Sequence, residues 1–232
     1  NYLNFKEFDK EIIKIDGTSN KSNMGANSIL ALSLAFAKAL SLSENYKIYE
    51  FLTTDQNYSL PVPMMNIING GTHADNNIDI QEFMIAPIGA KSFSEAVRYG
   101  SEIFHALKLN LKSKNLNTNV GDEGGFAPNL SSTKEALDYI LEAINSVGLK
   151  TNDDILISLD VASSEFFTKG KYNLKGENKL LSSEEMIQYL KNLVSLYPIY
   201  SIEDGLSEDD WDGWKNLTKQ LGKNIQLVGD DL

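Results

Sequence analysis

Across 232 residues, 42% hydrophobic and 23% charged, the chain has an ordinary globular balance. That is enough for one large core or two smaller ones, and it excludes a disordered, collagen-like or low-complexity chain. Lys and Arg total 21 against 32 Asp and Glu, a formal charge of −11, which argues against a nucleic-acid or anionic-membrane surface but leaves an anionic substrate open, because a metal can invert the field at one site.

With no cysteine in the chain, disulfides, thiolate metal sites and cysteine nucleophiles are excluded, which fits a reducing cytosol. Phe5, Phe8, Ile12 and Ile13 recur at helical spacing, and Gly17 stands where that helix should end. Asn27 to Leu42, rich in Ala, Leu and Ser, predicts a second helix, apolar on most of its circumference and therefore buried. Its apolar run, Ile29 to Leu40 around Lys38, falls short of the ~20 residues that span a bilayer, so no membrane insertion is expected. No signal peptide is visible.

The polar stretch Asp55 to Ser59, followed by Pro61 and Pro63, predicts a domain boundary, with residues 1–58 on one side and 59–232 on the other. Val62 to Ile68 and Ile80 to Ile85 have strand-like length. Ser94 to Lys112 and Thr133 to Val147 predict amphipathic helices, the second capped by Ser131 or Ser132. Then Ile155 to Leu159, Ser183 to Leu196, Ile199 to Ile202, Asp210 to Leu221 and Ile225 to Val228 alternate strand and helix. That rhythm predicts parallel pairing with right-handed crossovers. Residues 165–181 read as an insertion or small hairpin. The chain opens on Asn1 rather than Met and stops just past a core strand, so it reads as a fragment.

The strand exits carry the chemistry. Ile155–Leu159 leads into Asp160, Ile199–Ile202 into Glu203-Asp204, and Ile225–Gly229 into Asp230-Asp231. Any one of these acids could equally be a helix cap or turn residue. Three in succession at the exits of parallel strands point instead to one mouth, where strand ends of an α/β barrel converge. Clustered carboxylates repel one another unless a hard, oxygen-loving cation sits among them, and Mg²⁺ suits that role.

Two further acids stand apart. Glu82 lies within the apolar run Ile80–Ile85, where burial should raise its pKa unless it is paired or faces solvent. Glu123 lies in Gly121-Asp122-Glu123-Gly124-Gly125, either a plain surface turn or a loop that can bring a proton donor close to a ligand. His73 follows Asn69-Gly70-Gly71-Thr72 on a loop after a strand, and taken alone reads as structural, as does His105 on its helix. No GxGxxG or Walker-type lysine supports nucleotide binding.

Taken together, several runs resemble enolase, the bacterial form in particular: Pro61-Val62-Pro63-Met64-Met65-Asn66-Ile67-Ile68-Asn69-Gly70-Gly71, His73-Ala74-Asp75, Gln81-Glu82-Phe83-Met84, and above all Gly121-Asp122-Glu123-Gly124-Gly125-Phe126-Ala127-Pro128-Asn129. Leu159-Asp160-Val161-Ala162-Ser163-Ser164-Glu165-Phe166, Ser201-Ile202-Glu203-Asp204-Gly205-Leu206 and Val228-Gly229-Asp230-Asp231-Leu232 complete the set. The resemblance implies the end of an α+β capping domain followed by part of an enolase-type α/β barrel, strand-strand-helix-helix and then βα repeats. It implies the reversible dehydration of 2-phosphoglycerate to phosphoenolpyruvate, a glycolytic lyase reaction. Asp160, Glu203 and Asp230 would hold Mg²⁺, Glu123 would protonate the leaving hydroxyl with Glu82 as its partner, and His73, Gln81 and Glu82 would line the substrate pocket.

The resemblance further implies a cytoplasmic homodimer or larger homo-oligomer, with an additional cell-surface or secreted pool in some members. It places the general-base lysine, a second lysine and the phosphate-binding Arg-Ser pair beyond residue 232, so the segment alone is expected to be inactive and its barrel open. Two rivals remain: another enolase-superfamily member acting on a different carboxylate, and a binding or structural protein that kept the fold without the chemistry.

Overall fold

The structure, a computed structural model, describes residues 4–53, 55 and 57–232. Within the polar stretch expected at the domain boundary, Gln56 lies outside the described residues. The chain forms two compact units, Asn1–Leu60 and Pro61–Leu232.

In the first unit, α1 (Phe5–Asp16) starts at Asn4, whose side chain accepts from the Glu7 N–H at 2.9 Å, and stops at Gly17 in the left-handed region, φ 73°. The Asp16 carboxylate accepts the Met24 N–H at 2.7 Å and the Thr18 hydroxyl, folding the turn into α2 (Gly25–Ser43). A short helix, α3 (Ile48–Phe51), follows. Two expectations for α2 are corrected. It is not buried: Leu30, Leu32, Leu34 and Leu42 are 43–78% exposed. Among the described residues α1 and α3 pack on it, and a helix apolar nearly all round needs partners on every side. Nor is it too short. Small residues at both ends extend the apolar run to 19 residues, long and apolar enough by length and composition to cross a membrane.

The second unit is built on a five-stranded sheet in the order β1 (Met65–Asn69), β2 (Glu82–Ala86), β3 (Leu156–Asp160), β7 (Ile199–Glu203), β8 (Gln226–Val228). β2 runs antiparallel to both neighbours, whereas β3, β7 and β8 are parallel. Helices α4 (Phe93–Ser113) and α5 (Thr133–Ser146) follow β2; α6 (Ser183–Leu196) and α7 (Trp211–Leu221) make the crossovers. The element order is the expected one, and the sheet is an open arc, part of a barrel.

One sheet face is apolar. Ile68, Phe83, Ile85, Ile157, Leu159 and Ile202 are wholly buried, together with Ile103, Leu107 and Leu111 of α4, Leu137, Ile140 and Ile144 of α5, and Met186, Leu190 and Leu193 of α6. Each helix begins at a side-chain cap: Ser92, Ser132, Ser182 and Asp210 accept from an N–H in the first turn. At α5 the cap is Ser132, while Glu135 takes the Ser131 N–H at 2.6 Å.

Residues 165–181 form a separate antiparallel sheet of β4 (Phe167–Thr168), β5 (Lys171–Leu174) and β6 (Lys179–Leu181). It is tied to the loop that carries His73: both oxygens of Asp79 accept from the Gly176 N–H at 3.1 Å. Gly176 must be glycine for this, because a Cβ there would lie 1.8 Å from the Asn77 carbonyl oxygen.

Candidate metal and acid–base site

Register places the acids. Because β2 runs opposite to its neighbours, it starts where they end. Glu82, its first residue, pairs with Asp160, the last of β3, and Asp160 pairs with Glu203, the last of β7. On the flanks Asn69 ends β1 opposite Glu82, and Val228 ends β8 level with Glu203. One row across five strands therefore carries Asn69, Glu82, Asp160 and Glu203, with Asp230 just beyond β8.

Asp160, Glu203 and Asp204 each offer an oxygen, all within 4.8 Å of one another, and Asp204, Asp230 and Asp231 do the same. Thus Asp160 and Glu203 meet directly. Asp230 belongs to the adjoining set, joined through Asp204, and its charge reaches Glu203. Asp204 and Asp231 are not among the residues singled out from sequence. Strand alternation would send Asp204 to the face opposite Glu203, but its left-handed φ of 43° breaks the alternation. The doublets Glu203-Asp204 and Asp230-Asp231 were the available signal. Asp204 is 3% exposed and accepts the N–H groups of Asp230 and Asp231, both at 3.1 Å, so it also holds the segment that delivers Asp230.

The remaining contacts orient this row. The Gln81 amide donates to Asp160 Oδ2 at 3.0 Å while accepting the Thr72 hydroxyl at 2.6 Å; the Ala162 N–H donates to Asp160 Oδ1 at 3.0 Å. His73 Nδ1 stands 3.2 Å from Glu82 Oε1. Burial first, and then the Asp160 charge, raises the Glu82 pKa, with His73 opposing. Burial also raises Asp160, against the hydrogen bonds from Gln81 and Ala162. Glu203 is pushed up to about 7 by burial and by the charges of Asp160, Asp204, Asp230 and Glu82.

Glu123 stands exposed at the tip of a tight loop closed by the Gly121 N–H on the Gly125 carbonyl at 2.8 Å. The Asp122 N–H donates to the His73 carbonyl at 2.9 Å, joining this loop to the one that carries His73. The Glu123 charge is felt at Glu82. His105 lies exposed on α4 and takes no part.

The donor set suits a hard dication. Oxygens alone converge, two sets share one buried carboxylate, and burial first, then mutual repulsion, shifts Glu203 toward its neutral form, which a bound cation opposes. A cavity of about 480 Å³, lined in part by Thr72, Asp79, Glu165 and Lys175, adjoins Gln81 through Thr72.

Two family models match the chain. Residues 57–232 match the enolase C-terminal TIM barrel domain, and residues 1–52 match the enolase N-terminal domain.

Proposed function

The chain belongs to the enolase family, and on that premise we propose that it carries the metal-binding and proton-donating part of a site for the reversible, Mg²⁺-dependent dehydration of 2-phosphoglycerate to phosphoenolpyruvate. The observation that carries the reading is the register row Glu82, Asp160, Glu203, continued by Asp204 and Asp230. An enzyme of lyase type follows from the family; the substrate and the metal are the proposal.

Asp160, Glu203 and Asp230 would hold Mg²⁺, with Asp204 fixing the segment of Asp230. When bound, the ion supplies positive charge against the negative charge that builds as the proton alpha to the substrate carboxylate departs. Hydroxide is a poor leaving group, and Glu123 protonates it as it goes. Glu82 stands 3.2 Å from His73 Nδ1, and burial followed by the Asp160 charge raises its pKa, which suits a partner for Glu123. Gln81 keeps Asp160 turned toward the cluster, and His73 and Gln81 line the substrate side. The abstracting base is a lysine that the family resemblance places outside residues 1–232. The same reading makes the protein a bacterial-type, cytoplasmic homodimer or larger homo-oligomer.

The test is turnover by a polypeptide that joins this segment to the lysine-bearing strands. Phosphoenolpyruvate should form only with Mg²⁺ present. Glu123→Gln should lower kcat at least a hundredfold, within the range general acids supply, while Mg²⁺ affinity stays unchanged. The 232-residue chain alone should bind Mg²⁺ without turnover. Full activity of the Glu123→Gln variant, or no Mg²⁺ binding to the native chain, refutes the reading.

A further inference from the structure

We propose that Asn69 is a positioning residue for Glu123: its carboxamide, wedged between Gly121 and Gly125, sets where the Glu123 loop stands. This rests on reading Glu123 as the proton donor. Asn69 is fully buried, at 0% exposure, as the last residue of β1, level with Glu82. Its backbone is satisfied: the N–H donates to the Phe126 carbonyl at 2.8 Å, and its carbonyl accepts from the Asn76 side chain at 2.9 Å. Its carboxamide is not. Neither Oδ1 nor Nδ2 has a hydrogen-bond partner among the described residues. Burying an amide in that state costs stability, and an alkyl side chain of the same outline would avoid the cost.

What the carboxamide meets is the Glu123 loop. A Cβ added at Gly125 would lie 2.4 Å from Asn69 Oδ1, and one added at Gly121 would lie 2.9 Å from Asn69 Cβ and 3.1 Å from Cγ. Asn69 shares in excluding a side chain at both feet, together with the His73 carbonyl oxygen, 2.5 Å from a Cβ at Gly121, and the Ile67–Ile68 backbone, 2.8 Å from one at Gly125. Each foot is pinned: the Phe126 N–H donates to the Ile67 carbonyl at 2.9 Å, and the Asp122 N–H to the His73 carbonyl at 2.9 Å. The Phe126 ring stacks on Phe104 at 4.2 Å. With the feet fixed, the group between them limits how far the loop sinks toward the sheet, and so how Glu123 stands relative to Glu82.

Two variants separate shape from polarity: Asn69→Ala removes the wedge, and Asn69→Leu keeps its outline without the amide. In the 232-residue chain, proton–nitrogen spectra and hydrogen exchange are followed at Gly121, Asp122, Gly124 and Phe126. In the turnover-competent polypeptide, the same variants are read as kcat against KM. Asn69→Ala should shift the loop signals and speed their exchange about tenfold, Asn69→Leu, which keeps the wedge, should hold them near their native positions, and Mg²⁺ affinity should be unchanged in both. In Asn69→Ala kcat should fall roughly tenfold to a hundredfold at constant KM, as misplacing a catalytic group does. Native loop signals in a folded Asn69→Ala, or displaced ones in Asn69→Leu, overturn the proposal, and Asn69→Leu decides the matter if Asn69→Ala fails to fold. Loss of Mg²⁺ affinity alongside kcat and KM also overturns it, by making Asn69 a general structural residue. A displaced loop with unchanged kcat upholds the positioning but removes Glu123 from the proton-donor role, so the two readings fail separately.

Discussion

Glu203 is half-buried and crowded by other carboxylates, and the consequence can be measured. Its pKa in the folded chain, about 7, lies above the ordinary 4.5. The folded state therefore holds the proton more tightly than the unfolded one. The resulting stabilisation is fully present below the ordinary value and is lost as pH rises through about 7. The metal-free chain should lose stability between about pH 5 and about pH 8, and saturating Mg²⁺ should flatten that decline by supplying the missing positive charge. Glu203→Gln should flatten it too, raising metal-free stability at the alkaline end while abolishing the response to Mg²⁺. Thermal unfolding across this range, with and without Mg²⁺, checks the prediction. A decline of native size in Glu203→Gln would place its source elsewhere.

Elements were legible to differing degrees, for identifiable reasons. The helices of the second unit declare themselves through caps at the right spacing, as Ser182 and Glu185 do at α6, where each side chain binds the other's backbone. The three parallel strands follow from their apolar runs and crossover lengths. The exposure of α2 was not legible, because periodicity shows which residues are apolar and not whether a neighbour covers them. Nor was the antiparallel setting of β2, which decides that Glu82 joins the row by its first residue rather than its last. Asp210 shows how much one cap can carry. Besides accepting the Gly213 N–H at 3.1 Å, it accepts the hydroxyls of Tyr172 at 2.7 Å and Ser183 at 2.5 Å. Asp210→Ala removes a cap worth about 1 kcal/mol and leaves the Tyr172 hydroxyl, in a wholly buried residue, accepting the Ser207 N–H but with no acceptor for its own proton, for about 1–3 more. Urea unfolding should show a loss of about 2–4 kcal/mol, against about 1 for Ser92→Ala, a cap with no second duty. Equal losses in the two variants would mean that the Tyr172 contact contributes nothing.

At the scale of the whole molecule, the strand-exit acids could be read from sequence because a parallel sheet delivers its strand ends to one side. The part played by Asp204 could not, because it depends on one left-handed residue. Every acid of the two clusters lies within Pro61–Leu232, so cation binding should stabilise that unit's transition in particular. At free Mg²⁺ a hundredfold above Kd, mass action contributes about 2.7 kcal/mol, which for a unit of this size raises Tm by about 5–10 °C. A chain of net charge −11 also gains from screening, which any salt provides. The decisive comparison is therefore Mg²⁺ against Na⁺ at matched ionic strength. Screening predicts equal shifts and indifference to Asp160→Asn. A built site predicts a shift peculiar to the divalent ion, lost in Asp160→Asn and in Glu203→Gln, and retained in Glu123→Gln because Glu123 lies in neither cluster.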